Sequence, residues 1–534
     1  MINYQSDRFG SARWANEFDI TASGAFDGNG LTLAYFEDQL MSLPFDAPGL
    51  MVAGSGAGKF RDVLAETILR APDAGYWLFD PKGEITATTL NAFACKGAYL
   101  DIFNPFGLHG LPQQRINPYE ILTPDSPTLH ADVSALSSAL VVETTDNPYF
   151  VNKAREWCDG LKLSRVERQG WTSPPDLYHV VRSIVSDASA WDAQLTAMEQ
   201  SHDAIIRGVA GEMWDKQKNA PREFQAIYGT ITMALSCFND PKNRAAMESS
   251  DCSIADLCKA DGPPRSLSVI FPAEYIKPYA AMIRLLCAST VLTKYRYPGN
   301  RLHMIVDEAG QLGRFDMLLD MVTYGRGAGI IGEFVFQDIG QIERNFGRSA
   351  IQTFFGSCQR RRLFGIRDPQ TAQLISQMLG KQTLDYDDRA AQDAADYRAN
   401  AAIRRFLDGG DAAQAAYDFA FHEQASQRRT KMQRWLMSPD ELLNMPEGRM
   451  IAMISGRNLP AIYAQKYPYY THRDLVGLWL PNPHHPPRDQ VIVPDRWRGR
   501  KAAQVITTDV PPHLRHFPQY AGGTLQYVDG FYPF

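Results

Sequence analysis

The stretch Gly49-Leu50-Met51-Val52-Ala53-Gly54-Ser55-Gly56-Ala57-Gly58-Lys59-Phe60 decides how the rest of the chain is read. It opens with a short apolar run, the character of a strand buried on both faces. Alternating glycines, Gly54, Gly56 and Gly58, then lead the backbone through a tight turn to a lysine. The segment RDVLAETILRA that follows, 61–71, carries apolar residues at helical spacing. Strand, glycine-rich loop and helix N-terminus in that order aim successive backbone N–H groups and the positive end of the helix dipole at one spot. A phosphate is stabilised there, and Lys59 reaches its outer oxygens. The loop departs from G-x-x-x-x-G-K-[ST] twice, with Ala53 for the first glycine and Phe60 for the hydroxyl residue that would ligate Mg²⁺. Alone, the segment reads equally well as an ordinary strand-to-helix turn.

Outward from it, similar apolar runs recur: YWLFD (76–80), AYLD (98–101), SLSVIF (266–271), LHMIVDE (302–308), IIGEFVF (330–336), RRLFG (361–365) and RMIAMI (449–454). Short strands of this kind separated by helices predict an α/β fold, doubly wound about a parallel-rich sheet. One run ends in Asp307-Glu308. A carboxylate at the tip of a buried strand beside a phosphate loop holds Mg²⁺ through water, and the adjacent glutamate orients the water that attacks a γ-phosphate. An isolated aspartate there is also what a helix cap looks like; the glycine-lysine loop tells against that reading. Gln337, at the tip of the 330–336 strand, is placed to sense a γ-phosphate. Arg326, flanked by Gly325 and Gly327, reads either as a charge supplied to a neighbouring subunit's phosphate or as a structural ion-pair partner.

From about 121 to 262 the strand rhythm gives way to helical patterns, which predicts an all-α insertion in a discontinuous α/β nucleotide-binding domain at 48–120 and 263–480. An N-terminal segment, 1–47, precedes it, and a Pro- and aromatic-rich tail, 481–534, follows and reads as an extended wrap. The stretch from Asp385 to Arg434, rich in Ala, Gln, Asp and Arg, reads as solvated helices or an excursion from the core. With 45% hydrophobic and 21% charged residues and a formal net charge of -6, the chain has a large core and no bulk polyanion-binding surface. Any nucleic-acid contact is then local, as inside a ring. The seven cysteines are scattered without a C-x-x-C pair, which fits free thiols in a reducing compartment and no metal cage. No apolar run reaches the length of a membrane helix, so the reading is soluble and cytoplasmic.

Several further segments make the chain similar to the TraG-like coupling proteins of type IV secretion and conjugation. They are Phe79-Asp80-Pro81-Lys82-Gly83-Glu84, Ile116-Asn117-Pro118, Asp146-Asn147-Pro148-Tyr149, Val306-Asp307-Glu308, Phe336-Gln337-Asp338, Asp368-Pro369-Gln370-Thr371-Ala372 and Met437-Ser438-Pro439-Asp440-Glu441-Leu442. With the loop they span about 48 to 475. The resemblance implies a RecA-like motor domain, an inserted all-α domain that helps receive substrate, and a ring, usually hexameric, with ATP at subunit boundaries. It implies that Gly54, Gly56, Gly58, Lys59 and Phe60 line the nucleotide. Lys59, Asp307 and Glu308 then form one face of the site, Gln337 its sensor and Arg326 the neighbour's finger, with Mg²⁺ held by Asp307 through water. The implied partners are a secretion channel or membrane-bound protein, and single-stranded DNA with its relaxase, or a protein effector. Two departures accompany it. The usual N-terminal membrane anchor has no counterpart, so membrane association is expected to be peripheral, through partners. Phe60 predicts slow hydrolysis with binding retained. A nonhydrolysing adaptor of the same fold is the competing reading; a DNA-processing motor unconnected with secretion is disfavoured by DPKGE and DPQTA.

Overall fold

The apolar runs at 49–53, 76–80, 330–336 and 449–454 form strands with those same limits in the computed structural model, which describes residues 10–143, 148–386, 388–426, 430–475, 477–480, 482–484, 490–495, 499–515 and 523–528. Asp146 and Asn147 lie outside the described residues. In chain order the strands begin with a hairpin, β1 (Leu31–Phe36) and β2 (Gln39–Leu43), followed by β3 (Gly49–Ala53), β4 (Tyr76–Asp80) and β5 (Tyr99–Phe103). After a long helical stretch come β6 (Arg265–Ile270), β7 (Leu302–Val306), β8 (Ile330–Phe336) and β9 (Arg360–Phe364). The remainder are β10 (Lys381–Tyr386), β11 (Thr430–Trp435), β12 (Arg449–Ile454), β13 (Ile462–Gln465), β14 (Gln490–Asp495), β15 (Gly499–Asp509) and β16 (Thr524–Val528).

Eleven of these make one sheet in the order β2-β1-β13-β12-β9-β3-β8-β7-β4-β6-β5. From β9 to β5 every neighbouring pair is parallel, while β12 pairs with β9, and β1 with β13 and β2, in antiparallel fashion. Strands β3, β4, β7, β8 and β9 are buried along their whole length, as a sheet covered by helices on both faces requires. Between β8 and β9 charge enters this core in a compensated form. Glu333 of β8 accepts hydrogen bonds from Arg360, and from Arg362 at 2.8 Å, both on β9. Gly49 of the intervening β3 makes room, since a Cβ there would lie 2.1 Å from Glu333 Oε2. A buried carboxylate is tolerated on such terms.

Two compact units divide the chain. The larger, Ile20–Gly365, Pro446–Leu459 and Tyr463–Phe534, carries the parallel strands and all eight α-helices described between β5 and β6, from Leu129–Leu140 to Ile254–Cys258. The smaller consists of Met1–Asp19, Ile366–Met445 and Pro460–Ile462. In it Asp368 caps the helix Pro369–Leu379 by accepting from Thr371 N at 2.7 Å, and Ser376 Oγ donates to Met437 O at 2.7 Å. The DPQTA and MSPDEL segments therefore meet in the smaller unit. Helices Arg389–Leu407 and Ala412–Ser426 rise between the paired strands β10 and β11, as the composition of 385–434 predicts for solvated helices. The described part of the tail differs from a simple extended wrap: β14, β15 and β16 form a three-stranded antiparallel sheet, with Val510 and Leu525 buried. No helix among the described residues is long and apolar enough to cross a membrane.

Candidate functional site at the strand tips

In a parallel sheet all strands end on the same edge, and ligands bind there. Register places the relevant ends together: Ala53 lies opposite Phe364, Val52 opposite Phe336, Val306 opposite Phe334, and Phe79 opposite Val306. The glycine-rich loop thus leaves β3 with the Gln337 strand on one side and Gly365 on the other, and Asp307 is one strand further on, beside Asp80. The loop is anchored from within, by Gly54 N donating to Gly365 O at 3.2 Å and Ala57 N to Gly54 O at 3.2 Å. Gly58 has φ +86°, and a Cβ on it would fall 2.4 Å from Asp62 Oδ2, so no other residue passes there without strain.

Lys59 extends from this loop and donates to Glu308 Oε1 at 2.6 Å; the Gln337 amide donates to the other oxygen, Glu308 Oε2, at 2.8 Å. Three of the residues expected at the site are therefore in direct contact. Glu308 holds this position with φ +54°, a left-handed conformation that costs a non-glycine residue on the order of 1 kcal/mol and that clusters at functional sites. Asp307 is buried beside it and accepts from Glu308 N at 3.0 Å. Burial pushes its carboxyl up to about 7; Lys59 opposes this, while the charges of Glu308, Asp80 and Glu84 add to it.

Asp80 and Glu84 enlarge the site beyond the residues picked out from the sequence. Asp80 Oδ2 accepts from Thr86 N at 2.8 Å and Thr86 Oγ1 at 2.9 Å, whereas the buried Oδ1 has no hydrogen-bond partner among the described residues. Burial raises the Asp80 carboxyl, against the two Thr86 hydrogen bonds. The Asp80-to-Glu84 loop is held by distant segments: His109 Nε2 and His484 Nε2 both sit on Lys82 O, at 2.7 and 3.0 Å, and Asn482 Nδ2 donates to Glu84 Oε2 at 3.1 Å. Four carboxylates are thus grouped about Asp307, with Lys59 paired to Glu308 and Lys82 3.9 Å from Glu84. That excess of negative charge, with an unpartnered oxygen on Asp80, fits a divalent cation bound by one or two carboxylates and completed by phosphate and water. Among the described residues no three His, Cys, Asp or Glu side chains form a cage that would hold a metal unaided.

Phe60 and Arg326 stand apart from this cluster. The Phe60 side chain is buried and packs on Tyr469 with ring centroids 5.9 Å apart, and the first helical turn, Phe60–Leu64, is a π-turn. What Phe60 leaves to a nucleotide is its backbone at the helix N-terminus. Arg326 is largely exposed and pairs with Asp46. Beneath the loop lies a pair with no local signature in the sequence: Lys466, on the segment after β13, donates to Ala57 O at 2.9 Å and to the buried carboxylate of Asp62.

A lysine on a glycine-rich loop, a carboxylate pair one strand removed and a glutamine at the tip of the strand between define a RecA-like P-loop domain. The chain belongs to the type IV secretory system conjugative DNA transfer family, whose model matches residues 16–405. Among curated relatives, the conjugal transfer protein TraG of Rhizobium radiobacter is 23% identical over 355 residues, 64% of this chain and 53% of the relative. The type IV secretion system-coupling protein VirD4 of Bartonella quintana is 23% identical over 349 residues, 63% of this chain and 53% of its own. The chain spans about half the length of these relatives. Its fold is that of the plasmid coupling protein TrwB. The structure of TrwB with ADP and Mg²⁺ superposes with a TM-score of 0.59 at 15% identity, over 86% of this chain and 93% of the other. The trigonal form with sulphate gives 0.60 at 16%, over 86% and 94%.

Proposed function

We propose that this chain is a nucleotide-driven coupling protein that recruits DNA, nucleoprotein or protein substrate and drives it into a type IV secretion or conjugation channel. The observation that carries the reading is the Lys59–Glu308–Gln337 contact at the strand tips beside Asp307 and Asp80. In this reading the loop amides from Gly54 to Lys59 and the helix dipole bind the phosphates of ATP, and Lys59 leaves Glu308 for the γ-phosphate. Glu308 is then free to orient the attacking water while Gln337 reports on the γ-phosphate. Asp307 and Asp80 would hold Mg²⁺, which neutralises charge on the β and γ oxygens. The exposed Arg326 acts across a subunit boundary of a homo-oligomeric ring, hexameric by analogy with the family. The insertion at 121–262 receives cargo, and attachment to the inner membrane runs through the channel or another membrane-bound partner. TrwB has been crystallised with ADP and Mg²⁺ and with ADPNP, which supports ATP and Mg²⁺ as the ligands of this site.

A second reading, a weak or inactive P-loop adaptor that recruits substrate or relaxosome components, is favoured by one observation: the buried Phe60 ring offers no oxygen where a metal ligand is usual. One experiment separates the two. Wild type, Phe60→Thr and Glu308→Gln are compared for ATP affinity and Mg²⁺-dependent phosphate release. We expect all three to bind ATP, Phe60→Thr to turn over at least about tenfold faster than wild type, and Glu308→Gln to lose a factor on the order of 10². A wild type that binds no ATP overturns the motor reading in favour of the adaptor. A threonine variant that folds and binds but is no faster removes the missing hydroxyl as the limit on turnover.

A further inference from the structure

Arg284 lies in the middle of the helix Ile276–Arg296, which connects β6 to β7, and is buried in the larger unit. Among the described residues no carboxylate pairs with it. Its guanidinium instead donates to three backbone carbonyls: Nε to Ala139 O at 2.8 Å, Nη2 to Leu140 O at 3.4 Å and Nη1 to Leu312 O at 3.0 Å. The first two are the last residues of Leu129–Leu140, the first helix of the insertion, where unsatisfied carbonyls carry the negative end of the dipole. The third ends the turn Ala309–Leu312, which follows Asp307-Glu308 without a break. A second contact joins the same two segments, since Arg314 pairs with Glu143 at 2.8 Å. From the opposite side, Asn345 Nδ2 donates to Gly310 O at 2.8 Å, and Gln341 Oε1 accepts from Gln337 N at 3.0 Å. The turn after Glu308 is therefore gripped between the insertion and the sensor strand.

We infer that Arg284 is the positioning residue through which the inserted helices and the nucleotide site sense each other. Its fork ties the C-terminus of Leu129–Leu140 to the turn that sets the left-handed backbone of Glu308, so a shift of the insertion moves Glu308 relative to Lys59 and Gln337. A cation without a counterion is held only by geometry, because its stabilisation depends on carbonyl dipoles aimed at it; displacing either segment forfeits them. Coupling of this kind is reciprocal, so nucleotide binding must alter the end of the inserted helix as much as cargo on that helix alters the nucleotide site. The inference rests on the proposed reading of Lys59, Glu308 and Gln337 as a nucleotide site, but its test needs no cargo.

The experiment is hydrogen–deuterium exchange of peptides covering 129–143 and 305–314, with and without a nonhydrolysable ATP analogue at saturation, beside a direct measurement of analogue affinity. In wild type the analogue should slow exchange in 129–143 by about fivefold or more, the lower end of ordinary coupling. In Arg284→Met that slowing should disappear while 305–314 still responds and affinity changes less than about threefold. Arg284→Lys, which keeps one donor, should recover part of the response. Arg314→Ala, on an exposed residue that does not threaten folding, should weaken it about twofold. Wild-type analogue binding with no change in 129–143, or a full response in Arg284→Met, overturns the inference and leaves the proposed function standing. Absence of analogue binding by folded wild type overturns both.

Discussion

Replacing Lys466 by Met tests whether the glycine-rich loop is held from below by a single buried ion pair. The side chains of Lys466 and Asp62 are 2% and 1% exposed, and the ammonium also donates to Ala57 O, inside the loop. Removing one member of a buried pair typically costs 3–5 kcal/mol because the other charge is left without compensation. Here Arg61 remains on Asp62, with Nη2–Oδ2 at 3.0 Å, so the cost should fall at the low end, about 3 kcal/mol. Part of the loss lands on the loop, where Ala57 O loses its donor, and about 1.4 kcal/mol of it would weaken nucleotide binding tenfold. Titration with a fluorescent ATP analogue reads the affinity, and thermal unfolding reads the stability. The double variant Asp62→Asn with Lys466→Met removes both charges, and should be more stable than the sum of the two single changes by at least about 1 kcal/mol. Unchanged affinity with an unchanged unfolding midpoint in Lys466→Met would refute the reasoning, as would strict additivity in the double variant.

Two further outcomes follow from other parts of the larger unit. If Arg326 serves a neighbouring subunit, mixing Arg326→Ala with Lys59→Ala chains should restore some of the ATP turnover that each lacks; if its pair with Asp46 is its whole role, mixing restores nothing. His303, buried on β7, is held down to about 4 by desolvation and by the charges of Arg360 and Arg301, against a partial pull from Glu333. A depressed imidazole contributes stability that is full above its unfolded value near 6.5 and is lost as pH falls through 4, in all roughly 3 kcal/mol. The unfolding midpoint of wild type should therefore drop more steeply between pH 6.5 and 4 than that of His303→Gln, and parallel curves would count against it.

How much of this was legible in the chain follows from what each feature needs. The parallel strands were, because burial on both faces writes itself as an unbroken apolar run; β3, β4 and β8 have the limits read from the sequence, as does the antiparallel β12. The hairpin of β1 and β2 was not. Its turn is Glu37-Asp38, with φ of +47° and +66°, and nothing in that dipeptide resembles the Asn-Gly or Asp-Gly pairs that announce such turns. Nor was the Glu333–Arg360–Arg362 network, because charges inside an apolar strand make sense only once β3 places Gly49 between the strands that carry them. Site residues divide the same way. Lys59 ends a glycine-rich loop, Glu308 and Gln337 sit just past the tips of their strands, and all three announce themselves locally, whereas Lys466 reaches Asp62 from the far end of the chain.

Phe60 lies between those two cases, and the structure changes what its presence means. From the sequence it is a missing hydroxyl. In the fold its ring is buried against Tyr469, so one substitution both withholds an oxygen from the site and packs the first helical turn against the segment that also supplies Lys466. The loop is consequently braced by that segment twice, once through an aromatic contact at Phe60 and once through an ammonium under Ala57. Rigidity of this kind favours binding, which asks only that amides be pre-aligned, and does nothing for the charge that hydrolysis develops. In the proposed reading that charge would be met by a cation held at the carboxylates of the neighbouring strand tips, and Asp80, with one oxygen bound by Thr86 and the other without a hydrogen-bond partner among the described residues, has capacity to spare. A threonine at position 60 would thus loosen the brace while adding the oxygen. Affinity should then weaken slightly as turnover rises, a pairing that neither effect produces alone.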